Sequence, residues 1–165
     1  MKTAGLQVAT PTDTTIVMTR SFNAPRRMVW EAMTDPDKLR RWLFAPPGWT
    51  MTICEGVAKV GGSYRWAWND ENGKPALTIR GVFKEVVAPE RIVHTEVMEM
   101  AGCGPLGELL ATLELSEKSG VTHMKMTLAF DSKQARDGAL ASGMEHGMEA
   151  GYASLDAMLE SGDFA

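Results

Sequence analysis

Cysteine is scarce in this sequence: Cys54 and Cys103 are the only two, they form no CxxC pair, and His94, His123 and His146 show no HExxH spacing. A disulfide framework and a structural metal site are therefore excluded, and a reduced, cytoplasmic protein with no cofactor and no metal is expected. Positive charge is not in excess either. Charged residues make up 23% and the formal net charge is -4, so no basic field exists to hold a nucleic acid or an anionic membrane surface. Nowhere do about eighteen apolar residues run together, and MKTAGLQVATPTDTT lacks an apolar leader core, so neither a membrane span nor a signal peptide is expected. A phosphate-binding loop is missing as well, because Gly61-Gly62 in VAKVGGSY opens a strand instead of a helix.

What is present fits one domain with a sizeable core, spanning residues 14–165 behind a mobile tail of residues 1–13. The tail is polar and contains Pro11, and order is expected to begin near Thr14 with the strand TTIVMTRSF. Pro25 suits the first position of a short helix with the stripe Val29, Ala32, Met33; Asp35-Pro36 repeats the device for a second, with Leu39, Trp42 and Leu43. From Trp49 the pattern changes to six strand-like runs: WTMTICE, GSYRWAWN, ALTIRGVFKEVV, RIVHTEVM, ELLATLELS and VTHMKMTLAF. In the last of them Met124, Met126, Leu128 and Phe130 share one face. Ser132 caps a final helical region, Ser142 with Glu145 forms a capping-box pattern that predicts a break near Ala141, and Met144, Met148, Tyr152, Leu155 and Leu159 recur at helical spacing beyond it. The order β-α-α-β6-α predicts an α+β fold in which a curved antiparallel sheet wraps one long helix and leaves an apolar space between them.

The segments RSFNAPRRMVWEAMTDPDKLRRWL, CEGVAKVGGSYRW, RGVFKEVVAPERIVHTE and DGALASGMEHGMEAGYASLDAML together resemble the Hsp90-ATPase-activator-homologue branch of the START-like (Bet v 1-like) helix-grip superfamily, over roughly residues 14 to 160. The resemblance implies a helix-grip fold with a cavity between sheet and C-terminal helix; wider relatives bind lipids, hormones and polyketides, and a few are cyclases or hydrolases. It implies no shared catalytic motif. Where the family often has tryptophan in the middle of the last helix, this chain has Met148, which alters the shape expected of the cavity.

Trp30 and Trp42 on the two short helices, Tyr64, Trp66 and Trp68 on one face of a strand, and Met124, Met126, Phe130, Met144, Met148 and Tyr152 are the expected lining, whether they wall a ligand space or simply fill core. The sharper pair is His94 and Glu96. Alternation places both on one face of RIVHTEVM with Ile92 and Met98, where they either meet a ligand's polar group inside or decorate the outside, since a one-residue error in register inverts the answer. His123 and His146 are expected at the surface. Three functions compete: binding of a small apolar or aromatic ligand; a module that contacts an Hsp90-type chaperone, weakened because the polar residues before Thr14 supply no separate chaperone-binding domain; and a cyclase- or hydrolase-like enzyme using His94 and Glu96.

Overall fold

A computed structural model of the chain describes residues 5–43 and 45–162. Among these described residues nine strands occur: β1 (Gln7–Ala9), β2 (Thr15–Phe22), β3 (Thr50–Gly56), β4 (Ser63–Asn69), β5 (Pro75–Val87), β6 (Arg91–Met100), β7 (Gly104–Pro105), β8 (Leu109–Lys118) and β9 (Val121–Ala129). Helices α1 (Arg26–Thr34) and α2 (Pro36–Trp42) connect β2 to β3, while α3 (Lys133–Ala141) and α4 (Met144–Ser161) follow β9. All pairings are antiparallel, in the order β1-β2-β9-β8-β6-β5-β4-β3, with the two-residue β7 paired to β6 off this path. The six runs expected after Trp49 are all strands, and the sheet curves around the C-terminal helix as the helix-grip reading requires.

Three local expectations are corrected. Residues 7–9, placed in a mobile tail, pair with Thr19, Met18 and Val17 of β2; the apolar Leu6 and Val8 pack on the core, and the Leu6 N–H donates to Glu149 at 3.0 Å. Residues 1–4 of that tail and residues 163–165 at the other end lie outside the described residues. Pro25 is the residue before α1, with φ -61° and ψ 148°, so it precedes the helix instead of opening it. The Ser142 capping box does not form: the Ser142 hydroxyl turns back onto the Ala139 carbonyl at 2.6 Å, and Gly143, at φ 83°, precedes α4. The break itself falls where the sequence put it, between Ala141 and Met144. Asp35 and Ser132 cap as expected, accepting from the N–H groups of Asp37 and Ala135.

Register fixes which side of the sheet is inside. Ile16, Met18, Arg20 and Phe22 of β2 are all buried and stand opposite Leu128, Met126, Met124 and Thr122 of β9. Directly paired residues share a face, so the inner row runs on through Ala111, Leu113 and Leu115 of β8 to Ile92 of β6. Two apolar clusters occupy this face. One joins Phe22, Val29, Trp30, Trp42, Ile92 and Leu155 beneath α1, α2 and α4; the other joins Ile16, Met18, Ala111 and Leu128 beneath Ala139, Leu140 and Met144. Between β2 and α4 the Arg20 guanidinium, buried on the inner face, meets Glu149 and Asp156, each at 2.8 Å, and lies 5.9 Å from the Tyr152 ring centroid. That clamp sets the position of α4. At the opposite edge α2 lies against β3: an Arg40 Nη2 donor reaches the Cys54 carbonyl at 3.4 Å and the Cys54 thiol donates to the Pro36 carbonyl at 3.3 Å.

Candidate functional site

The inner row continues into β6, β5 and β4, where its chemistry changes. His94 stands opposite Ala111 and Glu96 opposite Leu109, both on the inner side of β8. The pair therefore faces the helix, on the side with Ile92. On the other flank His94 stands opposite Phe83, and Trp66 opposite Ile79, so Tyr64, Trp66, Phe83, His94 and Glu96 share the concave face. The rings touch one another: Tyr64 lies 5.0 Å from Trp66, 5.5 Å from Phe83 and 5.1 Å from His94, centroid to centroid, the last edge-on at 88°.

A break in the ladder builds the polar centre. Pairing of β5 with β6 runs through Arg80 and Val97 and resumes at Phe83 and His94. Between them the Val82 N–H donates to the Thr95 hydroxyl oxygen at 3.0 Å, while the Thr95 carbonyl lies 3.1 Å from the Tyr64 hydroxyl and 3.0 Å from His94 Nδ1. Gly81 makes this possible, because a Cβ there would sit 1.8 Å from the Thr95 carbonyl oxygen and 2.7 Å from the Tyr64 ring. A carbonyl oxygen only accepts, so the imidazole proton belongs on Nδ1 and Nε2 is left as a bare acceptor with no protein partner among the described residues.

Electrostatics follow from the company each group keeps. Burial pushes the Glu96 carboxyl up to about 7, with the Tyr64 phenol pulling the other way, and no cation relieves it. Burial likewise lowers the His94 imidazole, against the Thr95 carbonyl that favours its charged form. The Tyr64 phenol is raised, first by burial and then by Glu96, and stays protonated. Near neutral pH the centre thus holds a neutral imidazole, a neutral phenol and a carboxyl divided between its two forms. Glu96, His94, Trp66 and Phe83 all retain part of their surface.

The remaining predicted residues distribute otherwise. Trp30, Trp42 and Trp68 are buried core: the Trp42 indole N–H donates to the Ala32 carbonyl at 2.8 Å, and its ring stacks on Tyr152 at 5.8 Å. Met124 is core as well; Phe130 and Met144 pack on the second cluster, and Met126 and Met148 touch both. Tyr152, buried on α4, has its phenol raised by burial, with Arg20 opposing and Glu96 adding to the shift, which puts it within electrostatic reach of the inner-face carboxyl. His123 and His146 are exposed, His123 bonding Ser21 Oγ at 2.9 Å. Phe83, the Thr95 carbonyl and Arg20 were missed. Only Arg20 left a sequence signal, as a cation at an inward position of an otherwise apolar alternation.

An open depression of about 650 Å³ on the outer side borders Ser21, Arg26, Arg91, Glu114, His123 and Lys125, and of the predicted residues it touches Met124 alone. Arg26 pairs there with Glu90 and Arg91 with Glu114, each at 3.6 Å, so it reads as a solvated charged face. Among the described residues no group of histidines, cysteines and carboxylates is placed to hold a metal, and no helix is long and apolar enough to cross a membrane.

The family model described as "Activator of Hsp90 ATPase homolog 1-like protein" matches residues 23–160. The chain belongs to this family. A crystal structure of a Rhodobacter sphaeroides protein is similar to it at 33% identity and a TM-score of 0.87, over 96% of this chain and 99% of that one. A solution structure from Arthrobacter aurescens matches at 24% identity and a TM-score of 0.79, over 96% and 93%. DynU16, titled a putative protein in the dynemicin biosynthetic locus, shares the fold at 20% identity and a TM-score of 0.67, over 92% of this chain and 49% of its own. No curated protein sequence matches. Family membership agrees with the sequence-based resemblance and with the helix-grip architecture, and it leaves the chemistry of the inner face to be argued from the residues.

Proposed function

We propose that this family member binds a small apolar or aromatic ligand on the concave face between the sheet and α4, with Tyr64, His94 and Glu96 meeting the ligand's polar group. The observation that carries the reading is Glu96. A carboxyl held up to about 7 by burial, among rings and without a counter-charge, destabilises the empty fold, and a fold selected for stability alone gains from an apolar side chain there. Trp66 and Phe83 supply the apolar wall, and the bare Nε2 of His94 supplies an acceptor. Differential scanning fluorimetry of the whole chain against a panel of apolar and aromatic compounds, repeated with Glu96→Gln and Trp66→Leu, tests it. A ligand at about 100 times its Kd stabilises by about 2.7 kcal/mol, and the variants are expected to reduce that gain. A panel with no stabilising compound would sink the reading.

Two narrower alternatives make different demands. A carboxyl near 7 beside a neutral imidazole suits general acid–base chemistry, so an enzymatic role predicts product formation that His94→Ala and Glu96→Gln both abolish. The family description carries the chaperone reading; calorimetry with a bacterial Hsp90, showing neither binding nor a change in its ATPase rate, removes it.

A further inference from the structure

We infer that the inner-face site takes an organic cation, an arylalkyl ammonium whose nitrogen sits against Glu96 while its apolar part lies along Trp66 and Phe83. The inference deepens the binding function proposed above and rests on it. Consider what surrounds the carboxyl from each element. From β4 come the Tyr64 phenol and the Trp66 ring, from β5 the Phe83 ring, from β6 His94, from β8 Leu109 and from α4 Tyr152, whose phenol responds to Glu96. None of these is a cation. The inward-facing cation of β2, Arg20, is already bonded to Glu149 and Asp156 and adds no charge that Glu96 registers.

At Gly81 no side chain stands between Tyr64 and β6, so the phenol reaches the centre, and the mutually touching Tyr64, Trp66 and Phe83 rings share the concave face with the acid. Aromatic faces are themselves negative, and a cation over them is attracted by the rings and by the carboxylate together. An anion is repelled by both. A neutral hydroxyl or carbonyl finds hydrogen bonds but leaves the ionised acid without a counter-charge in a poorly solvated place, where a partner of opposite sign gains most. A bound cation also favours the ionised carboxylate, so binding displaces the proton that Glu96 holds near neutrality. His94, lowered from its ordinary value, stays neutral and does not compete.

The test uses three probes of one size: benzyltrimethylammonium, whose charge does not titrate, benzyl alcohol and phenylacetate. Calorimetric and NMR titrations of the whole chain are run at pH 6 and pH 8. Because Glu96 titrates at about 7, its ionised fraction rises about tenfold over that interval, and the ammonium is expected to bind about tenfold more tightly at pH 8. In paired buffers at pH 7 its binding should release about half a proton, a readout that needs no variant. Glu96→Gln should weaken the ammonium about tenfold at pH 8 and flatten its pH dependence. Benzyl alcohol or phenylacetate binding as tightly as the ammonium overturns the cation while leaving the site intact, as does ammonium binding without pH dependence or proton release. If none of the three shifts the Trp66 or His94 resonances, the site fails and the cation with it.

Discussion

At the scale of single residues the inner centre depends on one hydroxyl and one missing Cβ. The Tyr64 hydroxyl approaches both the Thr95 carbonyl and the His94 ring, and it favours the ionised form of Glu96. Tyr64→Phe is therefore expected to cost about 1 kcal/mol in urea unfolding, the typical net worth of such a hydrogen bond. It should also move the Glu96 titration, followed by carboxyl carbon NMR, above about 7. A downward or absent move would mean that the phenol does not act on the acid. Gly81→Ala is the more severe change: the new methyl meets backbone at 1.8 Å, which no rotamer can relieve. A loss of about 3 kcal/mol is expected, the upper end for overpacking, and an unchanged urea midpoint would show that β5 does not approach Thr95 this closely.

Among the elements, β1 and α4 are bound to each other as well as to the sheet. Glu149 of α4 accepts from the Leu6 N–H and from Arg20 at once, and Leu6 packs on both apolar clusters. A chain beginning at Pro11 loses that edge and the burial of Leu6 and Val8, for an expected cost of about 1–3 kcal/mol; an unaltered melting temperature would show that the strand contributes nothing. Why the sequence hid β1 is instructive. Three residues carry no periodicity, and the strand exists because β2 offers it an edge. The longer elements were legible because each carries its own signal: alternation in Met124, Met126, Leu128, proline before α1 and within the first turn of α2, a break at Ser142-Gly143. The direction of His94 and Glu96 was not legible, since both faces of β6 are partly apolar. It is settled by Ala111 and Leu109 on a strand that follows ten or more residues later. Phe83 and the Thr95 carbonyl escaped for a related reason, the first because its role arises only from the pairing with His94, the second because main-chain direction leaves no trace in residue type.

For the molecule as a whole, the buried acid ties stability to pH. Glu96 has an ordinary value of 4.5 and a folded value of about 7, so the native state holds a proton that the unfolded chain has already lost. Its stabilising share is complete below about 4.5 and disappears as pH rises through about 7, amounting to at most about 3 kcal/mol and less to the extent that water reaches the carboxyl. His94 acts oppositely: lowered on folding, it supports the native state above its ordinary value of 6.5 and withdraws that support as pH falls through its folded value. Asp156, raised mainly by burial, adds to the acid-side preference, and Glu149, lowered by Arg20, opposes it. Comparing urea midpoints of the wild type and Glu96→Gln between pH 5 and pH 8 isolates the one group. The variant should hold its stability over the interval in which the wild type loses it, and parallel curves would refute the assignment.

The clasp of α2 on β3 bears on how copies of this chain keep apart. β3 closes one end of the strand order, and an edge strand with free carbonyls is a template onto which another chain can pair and so begin to aggregate. Arg40 occupies the Cys54 carbonyl, and the register shift between Met51 and Ile53 disturbs the strand's regular spacing a few residues earlier. At the far end β1 presents only three residues. Arg40→Ala is thus expected to change the unfolding midpoint by less than about 1 kcal/mol while lowering the concentration at which light scattering appears on mild heating. This side chain would then matter less to the folded monomer than to its solubility.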